Sequence, residues 1–342
     1  MRRIRLIFTA CLGFALMFVS NAAQAQYQLT NLVSNQVAAA NQDDPLMVNA
    51  WGLAYGPTGP FWISDAGSGW STLYNENGAK QSLEVLIPSA NGKGPGSPTG
   101  IVYNGSQEFP VQGWASAFLF ATLDGTIQGW SFEANPNQSI IAVNNSSTGA
   151  VYTGLAISNH PSGNFLFAAD SWNNKVDVYD ANFNWVTSFT DATVPAGFTP
   201  FGIQDINGMV YVAYAASSGT GGGDIDIFTE SGTFVKRLTD SSWLNQPWGF
   251  TVAPSNFGPL SNALLISNNV NKRGTINAFN ITTGEYVGTV KDTNNNVIYI
   301  DQLWGIEFGG GTSSNGPKSQ LYFTAGPSNN VAGTFGFIAY KP

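Results

Sequence analysis

The chain has 342 residues, 43% of them apolar and only 10% charged, with 39 Gly, 17 Pro, 23 Phe, 12 Tyr and 10 Trp. This composition excludes disorder, collagen and coiled coil, and the scarcity of Glu, Lys and Arg disfavours a helix-rich fold. A formal net charge of −8 makes a surface that repels phosphate backbones, so nucleic acid is excluded as a partner.

The first element is a signal. Arg2, Arg3 and Arg5 precede an apolar run from Leu6 to Val19 and then Ala23-Gln24-Ala25, the layout of a secretory peptide cleaved after Ala25. The run is shorter than the roughly 20 residues a membrane-spanning helix needs, and no later segment matches it without Gly or polar breaks. The expectation is a signal peptide over residues 1–25, one domain over 26–342, and a secreted or periplasmic location without a membrane span. Cleavage removes three of 13 basic residues and none of the 21 acidic ones, leaving 10 against 21, a net charge of −11. It also removes Cys11, the single cysteine. Disulfides, thiolate nucleophiles and Cys-ligated zinc are thereby excluded from the mature chain.

Six repeats follow. A Gly followed by an aliphatic or aromatic residue recurs at Trp51-Gly52-Leu53, Thr99-Gly100-Ile101, Thr153-Gly154-Leu155, Phe201-Gly202-Ile203, Trp248-Gly249-Phe250 and Trp304-Gly305-Ile306. After each comes a second apolar stretch, such as Phe61 to Ile63 or Leu321 to Phe323, and a third that closes on Tyr74, Trp130, Tyr179, Phe228, Phe279 or Tyr340. Five repeats continue through a turn such as Asn77-Gly78 into a fourth strand, whereas the sixth runs out after three. The mature chain, however, begins with an unclaimed strand-like segment from Tyr27 to Val33. Six four-stranded units, the last completed by the N-terminal strand, describe an all-β fold, a closed six-bladed β-propeller. Closure pairs the two edges that an open array would leave bare.

The third repeat, Ala169-Asp170-Ser171-Trp172-Asn173-Asn174-Lys175-Val176-Asp177-Val178-Tyr179, resembles the NHL repeat: small residue and Asp, a gap, Asn, a basic residue, then an alternating strand. The other five keep only its skeleton. The opening Asn49-Ala50-Trp51-Gly52-Leu53, with Gly59-Pro60-Phe61-Trp62-Ile63-Ser64-Asp65 and Ser71-Thr72-Leu73-Tyr74, is similar to a family of secreted bacterial propellers, some with a PEP-CTERM sorting tail. This chain ends at Ala339-Tyr340-Lys341-Pro342 without such a tail. The resemblance implies a propeller fold and export, and no particular activity.

Propeller ligands usually bind at one mouth of the central channel. Just before the repeat glycines stand Trp51, Thr99, Thr153, Phe201, Trp248 and Trp304, in which four aromatics from neighbouring blades form one arc faced by two threonines. An aromatic arc beside polar groups suits a sugar ring or another flat ligand. The same side chains equally suit packing between blades, because strand alternation puts them on the face of the following apolar residue. Two positions upstream lie the more polar Asn49, Gln246 and Gln302, which suit ligand contact or strand-end hydrogen bonding.

A second set follows the second strand: Asp65, Asp170 and Asn268, with Glu307 two residues after its repeat glycine as a fourth oxygen donor. Converging there, they would hold calcium, an arrangement similar to propeller lactonases, which use Glu, Asn and Asp around a channel metal. Asp at a strand end also caps turns. His160, the single histidine, lies in a turn without a nucleophile-elbow motif, and Gly219-Thr220-Gly221-Gly222-Gly223 lacks the Lys-Ser/Thr of a phosphate loop. The expectation is a monomeric, non-enzymatic propeller without cofactor that binds a protein or glycan partner. The alternative is a calcium-dependent hydrolase or lyase of the lactonase kind.

Overall fold

The computed structural model describes residues 26–158, 163–216 and 221–342. The expected signal peptide, His160 and the Gly219-Thr220 pair lie outside these residues.

Among the described residues, six sheets of four or five strands surround an axis, one per repeat, and a two-stranded sheet pairs Pro110–Val111 with Trp114–Ala115. Blade 1 runs in order through Ala50–Tyr55, Phe61–Asp65, Trp70–Tyr74 and Lys80–Leu86, each strand antiparallel to the last. The innermost strands of the other five are Pro98–Tyr103, Tyr152–Ile157, Phe198–Ile206, Pro247–Val252 and Leu303–Phe308. The sixth sheet takes its fourth strand from the start of the described chain: Gln26–Ser34 pairs antiparallel with Thr334–Lys341, with Tyr27 opposite Tyr340. A two-residue strand, Gln42–Asp43, adds a fifth, parallel member. Among the described residues no helix is long and apolar enough to cross a membrane.

The second strand of blade 1 shows why these segments become sheets. All of Phe61, Trp62 and Ile63 are buried, but successive side chains point to opposite faces. Phe61 and Ile63 join Tyr322 and Phe335 of blade 6, while Trp62 joins Phe118 and Trp130 of blade 2. A strand that is apolar on both faces belongs between two neighbouring sheets. There are six such interblade cores, one per seam. Each fully buried Phe or Leu contributes about 1.5–3 kcal/mol, so the dry seams hold the ring together.

The repeat glycines set the radius of the channel. A Cβ on Gly52 or Gly202 would run into the Thr99 or Trp248 carbonyl of the next blade. On Gly249 and Gly305 it would stand 2.8 and 3.0 Å from the Trp304 and Trp51 carbonyls. Only a residue without a side chain lets adjacent inner strands approach this closely.

Candidate functional site

At the entry end of the inner strands, the four aromatic residues that precede repeat glycines meet. Trp51, Trp248 and Trp304 gather there with Phe201, Ala66 and Leu123. Trp51 stacks on Trp304 with ring centroids 3.7 Å apart, and Trp248 meets both edge-on at 6.2 and 6.0 Å. Phe201 packs against Trp51 and Trp304 at 6.4 and 5.7 Å. The three indoles are buried, so the arc is a plug that fills the mouth. Two indole N–H groups are anchored: Trp248 Nε1 donates to the Thr153 carbonyl at 2.8 Å, and Trp304 Nε1 to Asn49 Oδ1 at 3.0 Å. Trp51 Nε1 is buried without a partner among the described residues. The two threonines opposite reach backwards into the next blade: Thr99 Oγ1 donates to the Tyr152 carbonyl at 2.7 Å and Thr153 Oγ1 to the Pro200 carbonyl at 3.4 Å.

Above the plug, Gln246 and Gln302 of the polar row line one pit, while Asn49 is not among its lining residues. Asn49, Gln246 and Gln302 all adopt left-handed backbone, with φ of 49°, 54° and 49°. Each carbonyl accepts a hydrogen bond from the loop after its own second strand, from Ala66, Asn269 and Gly326. That turn brings the loops to the channel mouth. Gln246 and Gln302 then line a pit of about 480 Å³ with Asn245, Asn269, Asn271 and Asn329. Its wall is held by Asn271 Nδ2 donating to Asn329 Oδ1 at 2.7 Å and by the Asn330 N–H donating to Gln302 Oε1 at 3.0 Å. Ser328, Asn329 and Asn330 are three successive residues with positive φ, of 60°, 59° and 64°. Such a run is costly and persists where the surroundings fix it. Asn245, Asn269, Asn271 and Asn329 escaped the sequence reading. The available signal was the amide clustering of Asn268-Asn269 and Asn329-Asn330 in loops that follow second strands.

Below the plug the channel narrows to about 40 Å³, lined by Leu53, Ile101, Leu155, Ile203, Phe250 and Ile306, with Gln204 and Glu307 as its polar groups. That space admits a few waters and no larger ligand. Glu307 makes no hydrogen bond or ion pair with any described residue, and burial alone pushes its carboxyl up to about 7.

The four oxygen donors stand in blades 1, 3, 5 and 6, and the three acids among them do not form a metal-holding group among the described residues. Asp170 accepts from the N–H groups of Val151 and Asn173 at 3.1 and 3.2 Å, capping its own loop. Asn268 is held by the Asn245 N–H at 3.0 Å and the Trp243 carbonyl at 2.9 Å. Asp65 Oδ2 accepts from Thr72 Oγ1 at 2.6 Å while Oδ1 is buried without a partner among the described residues, and burial holds this carboxyl well above the usual carboxylate range. Glu307 lies down the channel. Among the described residues, no group of three or more His, Cys, Asp and Glu side chains converges to hold a metal ion.

No protein-family model matches the chain. Solved structures share its fold at low identity. A streptogramin B lyase superposes with a TM-score of 0.55 at 10% identity over 94% of this chain and all of the other. A gluconolactonase from Xanthomonas campestris gives 0.55 at 11% over 86% and 88%. In sequence, the uncharacterised protein R648 of Acanthamoeba polyphaga mimivirus is 30% identical over 343 residues, spanning 94% of this chain and 82% of that protein. A six-bladed propeller whose likeness runs through nearly its whole length, this chain belongs to the family of mimivirus R648.

Proposed function

We propose that the protein is an exported binding module, without catalysis, that takes a protein or glycan partner at the plugged mouth of the channel. The observation that carries this reading is the amide pit over the tryptophan plug. Six carboxamides line it, three of them, Gln246, Gln302 and Asn329, on left-handed backbone, and together they offer donors and acceptors. Such groups match a peptide backbone or sugar hydroxyls, and the fixed turns reduce what a ligand must order on binding. The acidic surface of the mature chain disfavours polyanions. Export rests on the Arg-rich, apolar, Ala-x-Ala leader over residues 1–25.

The alternative hydrolase or lyase reading rests on Asp65, Asp170, Asn268 and Glu307, and the fold shared with a lyase and a gluconolactonase does not by itself carry their function. What weighs against it here is that Asp65, Asp170 and Glu307 form no metal-holding group among the described residues. Glycan and peptide arrays probed with the purified protein and with a Gln246→Ala/Gln302→Ala/Asn329→Ala variant test the proposal. A specific signal lost in the variant supports the mouth as the site, and a signal unchanged by the three substitutions overturns it.

A further inference from the structure

A second feature lies on the outer wall of the ring, away from the mouth. Blades 2 and 3 part there to leave a groove of about 730 Å³, within the range of small-molecule sites. One wall is the outermost strand of blade 2, which ends at Asn144, with Asn145 and Thr148 beyond it. The other is blade 3, where strand alternation sets Lys175, Asp177 and Tyr179 on one face. Two exposed indoles stand here, one in the lining and one near it. Trp185 lines it and is 61% exposed, and Trp172 is 72% exposed beside Gly149, next to Thr148.

The floor is rigid. Asn145 Nδ2 donates to both the Tyr152 and Tyr179 hydroxyls, at 2.7 and 2.8 Å, and the Tyr152 hydroxyl donates to Asp177 Oδ2 at 3.0 Å. Ser188 Oγ donates to Asp177 Oδ1 at 2.6 Å and receives the Trp185 indole N–H at 3.1 Å, which fixes the orientation of that ring. Lys175 pairs with Asp177 at 2.8 Å, so the groove offers a cation already matched to an anion. The Oδ1 atoms of Asn145 and Asn173 accept no hydrogen bond from any described residue and remain for a ligand.

We infer that this groove binds a neutral oligosaccharide. The flat, fixed indole of Trp185 matches the C–H face of a sugar ring, and amide oxygens with a lysine ammonium match its hydroxyls. Trp185 in the lining and a second exposed indole near Thr148 suit a chain of sugars rather than one, and the paired Lys175–Asp177 gives no preference for an anion. The assignment goes beyond the reading of the mouth and does not depend on it.

Titrating the purified protein with neutral hexasaccharides of glucose, N-acetylglucosamine, xylose and mannose, followed by calorimetry and tryptophan fluorescence, tests it. At least one is expected to bind and perturb the fluorescence. Affinity should drop tenfold or more in Trp185→Ala, recover in part in Trp185→Phe, and stay unchanged in Gln302→Ala/Asn329→Ala. The melting temperature of Trp185→Ala should match the parent, because the side chain is exposed. No binding by any of the four, or binding that survives Trp185→Ala, overturns the groove. Binding lost only in the Gln302→Ala/Asn329→Ala variant also overturns it, while placing the sugar at the mouth.

Discussion

Trp248 in blade 5 donates its indole hydrogen to the Thr153 carbonyl of blade 3 at 2.8 Å, so the plug ties together two blades that are not neighbours in the ring. Trp248→Ala removes both this bond and the edge-on contacts with Trp51 and Trp304. A loss of about 3–5 kcal/mol is expected in urea unfolding. Trp248→Phe keeps part of the packing and should cost about 1–3 kcal/mol, chiefly the buried bond. Near-ultraviolet circular dichroism should lose intensity in both, since the indoles are tightly coupled.

Deleting residues 26–34 removes the whole ladder to Thr334–Lys341 and the bond from the Tyr27 hydroxyl to the Phe257 carbonyl at 2.8 Å. The bared strand edge invites association between chains. The truncated protein should lose its cooperative thermal transition and elute as aggregates, and a synthetic peptide of residues 26–34 should restore the transition. A normal melt without the peptide would contradict the closure.

Glu307 fixes a pH dependence. Its folded carboxyl holds the proton up to about 7 against an ordinary 4.5, because burial disfavours the charge. The unfolded chain releases that proton first as pH rises, so its contribution is fully present below about pH 4.5 and is lost toward pH 7. Glu307→Gln should therefore be more stable than the parent by about 3 kcal/mol at pH 8 and nearly equal to it at pH 4.5. Urea melts of both proteins at the two pH values read the difference directly.

Arg237 reaches three carboxylates: Asp191 and Asp226 at 2.9 Å and Asp224 at 3.5 Å. Burial pushes Asp226 up to about 7 even with the guanidinium beside it. Arg237→Met leaves like charges facing one another, and a cost of about 3 kcal/mol is expected at pH 8. The cost should shrink at pH 5, where Asp226 takes up its proton. An equal cost at both values would show that packing of the arginine stem dominates.

Gly202 tests the tight channel. A methyl group there meets the Trp248 carbonyl, so Gly202→Ala should lose about 3 kcal/mol or more, if it folds at all. Gly59→Ala, whose nearest neighbour would be 3.9 Å away, should change stability little. Paired thermal melts separate the two.

The blade count was legible because each inner strand needs a glycine where it touches the next, and each second strand is apolar on both faces. Those demands recur at every blade and imprint a period. The N-terminal strand was legible for a related reason, since the sixth repeat had three strands and Tyr27 to Val33 had no other place. The mouth was harder to read. An aromatic before a repeat glycine is compatible with a ligand platform or with a plug, and only the convergence of Trp51, Trp248 and Trp304 on one point distinguishes them. The amide pit left almost no trace, because Asn269, Asn271 and Asn329 sit in loops whose meeting depends on the left-handed turns at Gln246 and Gln302. Loops carry no periodicity to read. The groove beside Trp185 depends in the same way on how two blades splay.

The pairing of Tyr27 with Tyr340 also orders events in time. The strand that leaves the ribosome first finds its partner only when nearly everything else has been made, so five sheets and most of a sixth must wait with an unfilled slot. Contacts this distant in sequence close slowly. A nascent chain is therefore exposed to a wrong strand taking the vacant place, and a holdase or rapid transit to a dilute compartment would serve this architecture better than faster synthesis.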